Sequence, residues 1–295
     1  MKRLSMILFV LFVSAAVCFV SAPASSGETI KYLGCDIVKK AFMAELVKAF
    51  TKETGTQVEV RGGGDVLGIR KAAAGITSLG GACRHVIKAP EEKDAKLHHV
   101  AWDAVVVIVN KENPVDSITL EQLKGVITGN ITDWGQLGGP ANTPIQFFVR
   151  NGKISGVGRM ARELIFYNPE QEFKAVKRFK STTPLEKGIM KEKWAIGLTG
   201  ISSARKRDVK VLKLSGIDTS KENIASGKYL LYRPLYLVTR GEPKGAAKEF
   251  ITFAKSPKGQ QIISSQGTVT LKEGAHLWPV YREQMTRLKM KAGEY

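Results

Sequence analysis

Residues 102–110 read WDAVVVIVN, and inside them residues 104–109 are apolar without a break, with valines at 105, 106, 107 and 109. A run with no alternation offers no face to water. It predicts a strand buried on both sides, of the parallel type that lies between helical layers. Upstream, residues 29–33 read as a strand that ends in the loop Gly34-Cys35-Asp36. Phe42, Leu46 and Phe50 then repeat at four-residue spacing, one apolar stripe of a helix. Residues 57–60 alternate as a short strand, Gly62-Gly63-Gly64-Asp65 makes a turn, and a helix is predicted over about 66–74. Residues 76–82 form a weak strand ending at Cys83-Arg84.

A second unit begins near Asn113-Pro114. Thr119 with Gln122 fits a capping box, opening a helix that stops at Gly129. Further strands are predicted at 145–149, 194–198, 209–214 and 229–239. The last contains Pro234, which points to a crossing or edge segment. Helices at 246–254 and 259–265 pack through Phe250, Phe253, Ile262 and Ile263. Strand–helix alternation of this kind predicts an α/β fold.

The chain has 295 residues, 43% of them hydrophobic and 24% charged, which suits one large domain or two lobes and argues against a disordered or fibrous chain. Lys2 and Arg3, the apolar run that follows and the small residues Ala22-Pro23-Ala24 read as a signal peptide over 1–24, cut near Ala24. Cys18 falls inside that segment, and Val17 before it does not suit lipidation. Without Lys2 and Arg3 the formal charge falls from +18 to +16. The remaining lysines are spread along the chain with no interleaved aromatic–basic motif, so no nucleic-acid partner is expected. No catalytic arrangement stands out: the glycine-rich loops lack a GKS or GKT ending and there is no HExxH, so no enzyme and no cofactor is expected.

Five stretches, in order, resemble the phosphate-binding proteins of ABC transporters. They are WDAVVVIVN at 102–110, LEQLKGVITGNITDW at 120–134, WAIGL at 194–198, YRPLY at 232–236 and GQQII at 259–263. The resemblance covers nearly all of the chain after the signal segment. It implies an α/β, two-lobed, type II periplasmic-binding-protein fold, each lobe a mainly parallel sheet flanked by helices. Residues 29–111 with 233–295 would form one lobe and 112–232 the other. It also implies a monomeric periplasmic receptor that closes on a small oxyanion and delivers it to a membrane permease or sensor.

In that family four short loops hold phosphate by hydroxyl and backbone donors, one arginine and usually one carboxylate. On this resemblance Arg150 is the arginine, and Ser155-Gly156-Val157 follows it where the family has SGT. Val157 loses a hydroxyl but keeps its N–H. Arg150 could alternatively pair with a carboxylate across the cleft. The first loop carries Cys35, Asp36 and Ile37, with Asp36 alternatively a helix cap. The second carries Gly64 and Asp65, and Asp65 is either a proton acceptor for the ligand or a helix N-cap. The third carries Cys83, in a serine position, and Arg84, either a ligand contact or a structural ion pair. All four loops therefore lose hydroxyl donors and gain acids and thiols.

The resemblance puts Cys35 and Cys83 on adjacent loops. They would form a disulfide, or bind a soft metal or metalloid such as arsenite together with His85 in a sensor, or stand as small buried cysteines replacing serine. A diverged structural or interaction protein with an emptied pocket is the remaining alternative.

Overall fold

The computed structural model describes residues 29–291; the signal segment predicted at 1–24 lies outside the described residues. β1 (Ile30–Gly34) leads into α1 (Asp36–Val38), a π-helical stretch (Lys39–Met43) and α2 (Ala44–Thr54), which continue one another. β2 (Val58–Gly62), α3 (Asp65–Ala73), β3 (Leu79–Ala82) and a 3-10 turn (Pro90–Glu92) precede the long β4 (Ala95–Asn110). Then come β5 (Ser117–Ile118), α4 (Leu120–Thr128), β6 (Gln146–Arg150), α5 (Gly156–Phe166), β7 (Lys177–Phe179), α6 (Thr182–Lys191), β8 (Ala195–Gly200) and α7 (Ile201–Ala204). β9 (Val209–Val211), β10 (Lys213–Leu214), α8 (Lys221–Ala225), β11 (Tyr232–Arg240), α9 (Gly245–Lys255), α10 (Pro257–Ser265) and α11 (Leu277–Lys291) complete the described chain.

Among the described residues one nine-stranded sheet runs in the order β2-β1-β3-β11-β4-β8-β6-β7, with β9 also on β4. At one end β1 is parallel to β2 and β3, and at the other β6 is parallel to β7 and β8. β4 joins them. Its residues up to Ala104 pair with β11, and from Val105 on it pairs with β8. The apolar run 104–109 is fully buried, as its composition demands, yet it is antiparallel to its neighbours rather than parallel. An unbroken apolar run reports burial on both faces; it carries no information on strand direction.

Pro234 likewise departs from expectation, because β11 lies inside the sheet between β3 and β4. It stands opposite Trp102, whose N–H goes to Val269 O at 2.8 Å, and β3 reaches β11 only over 236–238. The missing proline N–H thus breaks no ladder bond. The capping box of α4 forms as predicted: Gln122 N–H donates to Thr119 Oγ1 at 3.1 Å and Thr119 N–H to Gln122 Oε1 at 2.9 Å.

α3 lies tight against β1 and β3. A Cβ on Gly68 would come 2.5 Å from Gly81 O and 2.7 Å from Gly34 Cα, so only glycine permits this approach. Ile69 and Ala72 on the same helix pack against Ala82, Tyr236 and Val238. Gly68→Ala should therefore destabilise the fold by about 1–3 kcal/mol by overpacking, despite alanine's better helix propensity. Urea denaturation with an unchanged m-value and a lower midpoint would bear this out; a midpoint at or above wild type would contradict it.

Candidate functional site

β1, β2 and β3 run parallel, so their C-terminal ends share one edge of the sheet, where loops to helices gather binding groups. The loops after β1 and β2 are tied together: Gly63 and Gly64 both donate to Gly34 O, at 2.9 and 3.0 Å. The loop after β1 is tied to β3 by Cys35 N–H to Gly81 O at 2.9 Å. Gly64, at φ +83°, makes the turn that no L side chain adopts without strain, and it sets the direction of Asp65 at the start of α3.

Asp65 is 6% exposed, and its Oδ1 accepts the Cys83 N–H at 2.5 Å. It caps no helix: Gly64 is the N-cap residue of α3 and makes no side-chain cap bond. The carboxylate instead reaches α5, in the other half of the molecule. A Cβ on Gly156 would lie 2.2 Å from Asp65 Oδ2 and 2.4 Å from Oδ1. Gly156 and Val157 open α5, an N-terminus whose N–H groups point at whatever sits there.

Arg150 ends β6 beside the same point. Its Nη1 donates to Thr182 Oγ1 at 3.0 Å, and its Nη2 lies 3.5 Å from where a Gly64 Cβ would stand. Its Nε is buried without a partner, as is the Oγ of Ser155. Asp36 is half-buried and does not cap a helix, since α1 is preceded by Cys35 with no side-chain cap. Burial raises the pKa of the Asp36 carboxyl, against the opposing pull of Lys40, Arg150 and Lys39. Ile37 is core: it is 1% exposed and packs against Gly200.

Arg84 belongs to the scaffold rather than to a ligand. Its guanidinium is fully buried and forks onto Glu92, Nη1 to Oε2 at 2.9 Å and Nη2 to Oε1 at 2.7 Å. Nη1 also donates to His85 O at 2.7 Å, and Nε crosses to Ile154 O at 2.9 Å. Burial pushes the Glu92 carboxyl up, but the Arg84 bond and charge, the Ile87 N–H and Arg70 outweigh it and hold it below the usual range.

Cys35 and Cys83 are free, fully buried thiols, not a disulfide. Burial pushes both above the usual thiol range, so neither is an activated nucleophile. Their sulfurs and an Asp65 oxygen lie within 4.8 Å of one another. His85 does not join them, because its Nε2 faces Glu163 at 2.9 Å and its Nδ1 faces Val86 O at 2.9 Å.

Several groups that bring these loops together were not singled out as site residues from the sequence. Asp103 accepts Arg233 Nη2 on Oδ2 at 3.0 Å and the Ser202 N–H and hydroxyl on Oδ1 at 3.0 and 2.7 Å, all buried. Lys40 reaches Glu186 at 3.0 Å and Ser203 Oγ at 2.6 Å. Thr182, which orients Arg150, sits in the stretch Ser181-Thr182-Thr183-Pro184, whose polar residues and proline mark a helix start. That signal was available; the ion pairs left none.

A profile of the family described as "PBP superfamily domain" matches residues 21–258. The phosphate-binding protein PstS of Borreliella burgdorferi is 26% identical over 285 residues, which cover 92% of this chain and 100% of that protein. The phosphate-binding protein PstS of Bacillus subtilis is 26% identical over 252 residues, 83% of this chain and 81% of that protein. A crystal structure of a putative phosphate ABC transporter substrate-binding protein from Clostridium perfringens, with bound phosphate, superposes with a TM-score of 0.74. It is 26% identical and the match covers 82% of this chain and 99% of that one.

Glu92 and Glu163 set the acid stability of the seam. Burial pushes Glu163 up as well, but the bonds and charges of His85 and Arg159 hold it below the usual range. A carboxyl depressed in the folded state contributes stability above its unfolded pKa, about 4.3, and that contribution is lost as pH falls through the folded value. The urea midpoint should thus be flat at neutral pH and drop as the pH is taken below about 4.3. Glu92→Ala leaves Arg84 buried and uncompensated and should cost about 3–5 kcal/mol at pH 7. A loss within 0.5 kcal/mol, on the order of an ordinary surface change, would show that Arg84 is not held by this pair.

Proposed function

The chain belongs to the PBP superfamily, and on that premise we propose that it is an extracytoplasmic solute-binding protein. It captures phosphate or a related small oxyanion between its lobes and presents it to an ABC permease. It binds rather than catalyses, acts as a monomer, and is exported to the periplasm by the signal segment at 1–24. Residues 29–111 with 233–295 make one lobe and 112–232 the other, with β4 shared between them.

One observation carries this reading. The N-termini of α3 and α5 and the guanidinium of Arg150 meet at a single point, on loops that follow parallel strands. Helix N-termini offer free N–H groups and a positive dipole end, and a guanidinium adds a fork of donors, so the point favours a compact anion. The relatives named phosphate-binding proteins, and the phosphate-bound neighbour, indicate which anion. No helix of the described residues is long and apolar enough to cross a membrane, which suits a receptor that meets its permease from outside. The ligand groups are Arg150, Gly156 and Val157, with Ser155 and the N–H of Cys83 beside them.

A second reading has one observation in its favour, the cluster of Cys35, Cys83 and Asp65. Two thiols and a carboxylate suit a soft metal or arsenite, with Asp65 in the place first assigned to His85. Thiol alkylation that abolishes arsenite binding, in a protein that ignores phosphate, would select it.

Calorimetric titration of the phosphate-free protein should give one phosphate site, with arsenate competing. Arg150→Ala should weaken it at least about tenfold, a loss of about 1.4 kcal/mol or more. Equal heats of binding for wild type and Arg150→Ala would refute the assignment.

A further inference from the structure

One donor that would grip an oxyanion, the Cys83 N–H, already holds an acid of the protein itself. Asp65 Oδ1 has the Cys83 N–H at 2.5 Å, and both carboxylate oxygens press on Gly156 at the first turn of α5. Arg150, whose Nε has no partner, places its Nη2 3.5 Å from where a Cβ on Gly64, the residue before Asp65, would stand. The carboxylate is thus buried between one backbone donor and the first turn of α5, with the Cys35 and Cys83 sulfurs within 4.8 Å, and it bridges the two halves of the sheet.

We infer that Asp65 is a built-in competitor: its carboxylate takes the oxyanion seat and latches the cleft shut without ligand, so that a captured oxyanion must displace it. This rests on the oxyanion reading above. Crowding argues against a shared site, since even a methyl group on Gly156 would overlap the carboxylate. Every closed, ligand-free molecule is then unavailable to phosphate, and the apparent affinity falls by the fraction that remains competent. The device raises the phosphate concentration at which the protein responds, as suits a receptor that should ignore traces. The opposite role, a carboxylate that stays in place and accepts the ligand's proton, predicts the opposite effect of removing it.

The test compares phosphate-free wild type, Asp65→Ser and Asp65→Asn as the mature full chain, titrated calorimetrically with inorganic phosphate. Small-angle scattering of the ligand-free proteins runs in parallel, and far-UV circular dichroism checks folding. Asp65→Ser should bind phosphate at least about tenfold more tightly than wild type, and its ligand-free form should be more extended. Asp65→Asn keeps the bulk and loses the charge, so it should show a smaller gain; it decides by the same comparison if the serine variant fails to fold. Unchanged or weaker phosphate binding overturns the inference. If none of the three proteins binds phosphate, the oxyanion reading fails and scattering decides the latch. An opened Asp65→Ser then upholds it, and unchanged compactness overturns it.

Discussion

Backbone hydrogen bonding along β4 is the constraint from which the architecture follows. The sixteen residues of one strand, all but Val100 at a bulge, pair first with β11 and then with β8 and β9. A buried N–H or C=O without a partner is strongly unfavourable, so both halves of the strand must be covered by sheet. The two parallel ends, β1–β3 and β6–β8, are thereby hung from one spine. Their C-terminal loops can meet because the spine brings them to the same gap. The antiparallel junction is what lets two parallel α/β units, each of a familiar kind, share a single sheet.

Charge pairing then settles how the halves face each other. Arg84 lies over Glu92 and reaches Ile154 O; Arg233 joins Asp103, which also holds Ser202; Glu163 takes His85; and Glu186 takes Lys40. Each of these buried acids has a basic partner, which offsets the cost of its burial. Asp65 differs, because its hydrogen-bond partner is a backbone N–H, the first turn of α5 abuts it, and the Cys35 and Cys83 sulfurs lie within 4.8 Å. A backbone donor and a helix N-terminus are what a captured anion would meet, which is why the same acid can stand in for one. Loss of the hydroxyl donors seen in the loops is consistent with a seat already holding a carboxylate.

Much of this was legible in the residues. The strand–helix order, the Thr119–Gln122 box and the burial of 104–109 all rest on effects that act within a few positions. Where the reading went astray, the missing information was spatial. Pro234 sits in an interior strand because neighbouring hydrogen bonds go elsewhere. Arg84 was a choice between ligand and scaffold, and only the nearness of Glu92 and Ile154 resolves it. His85 was grouped with the cysteines by proximity in the chain, whereas Glu163, 78 positions away, claims its ring.

The amino-acid order by itself determined the main strand–helix alternation, the capping box of α4 and the burial of residues 104–109, because periodicity and capping are local; α6, α8, α11 and the first half of β4 were not predicted from it. It marked a turn at Gly62-Gly63-Gly64, and the fold then shows that Gly64 takes the left-handed backbone there. Only the folded chain decided strand direction, the partners of the buried charges and the place of Asp65. Those depend on which groups lose water together, and Asp103 with Arg233, 130 positions apart, share that fate only once the sheet has closed around them.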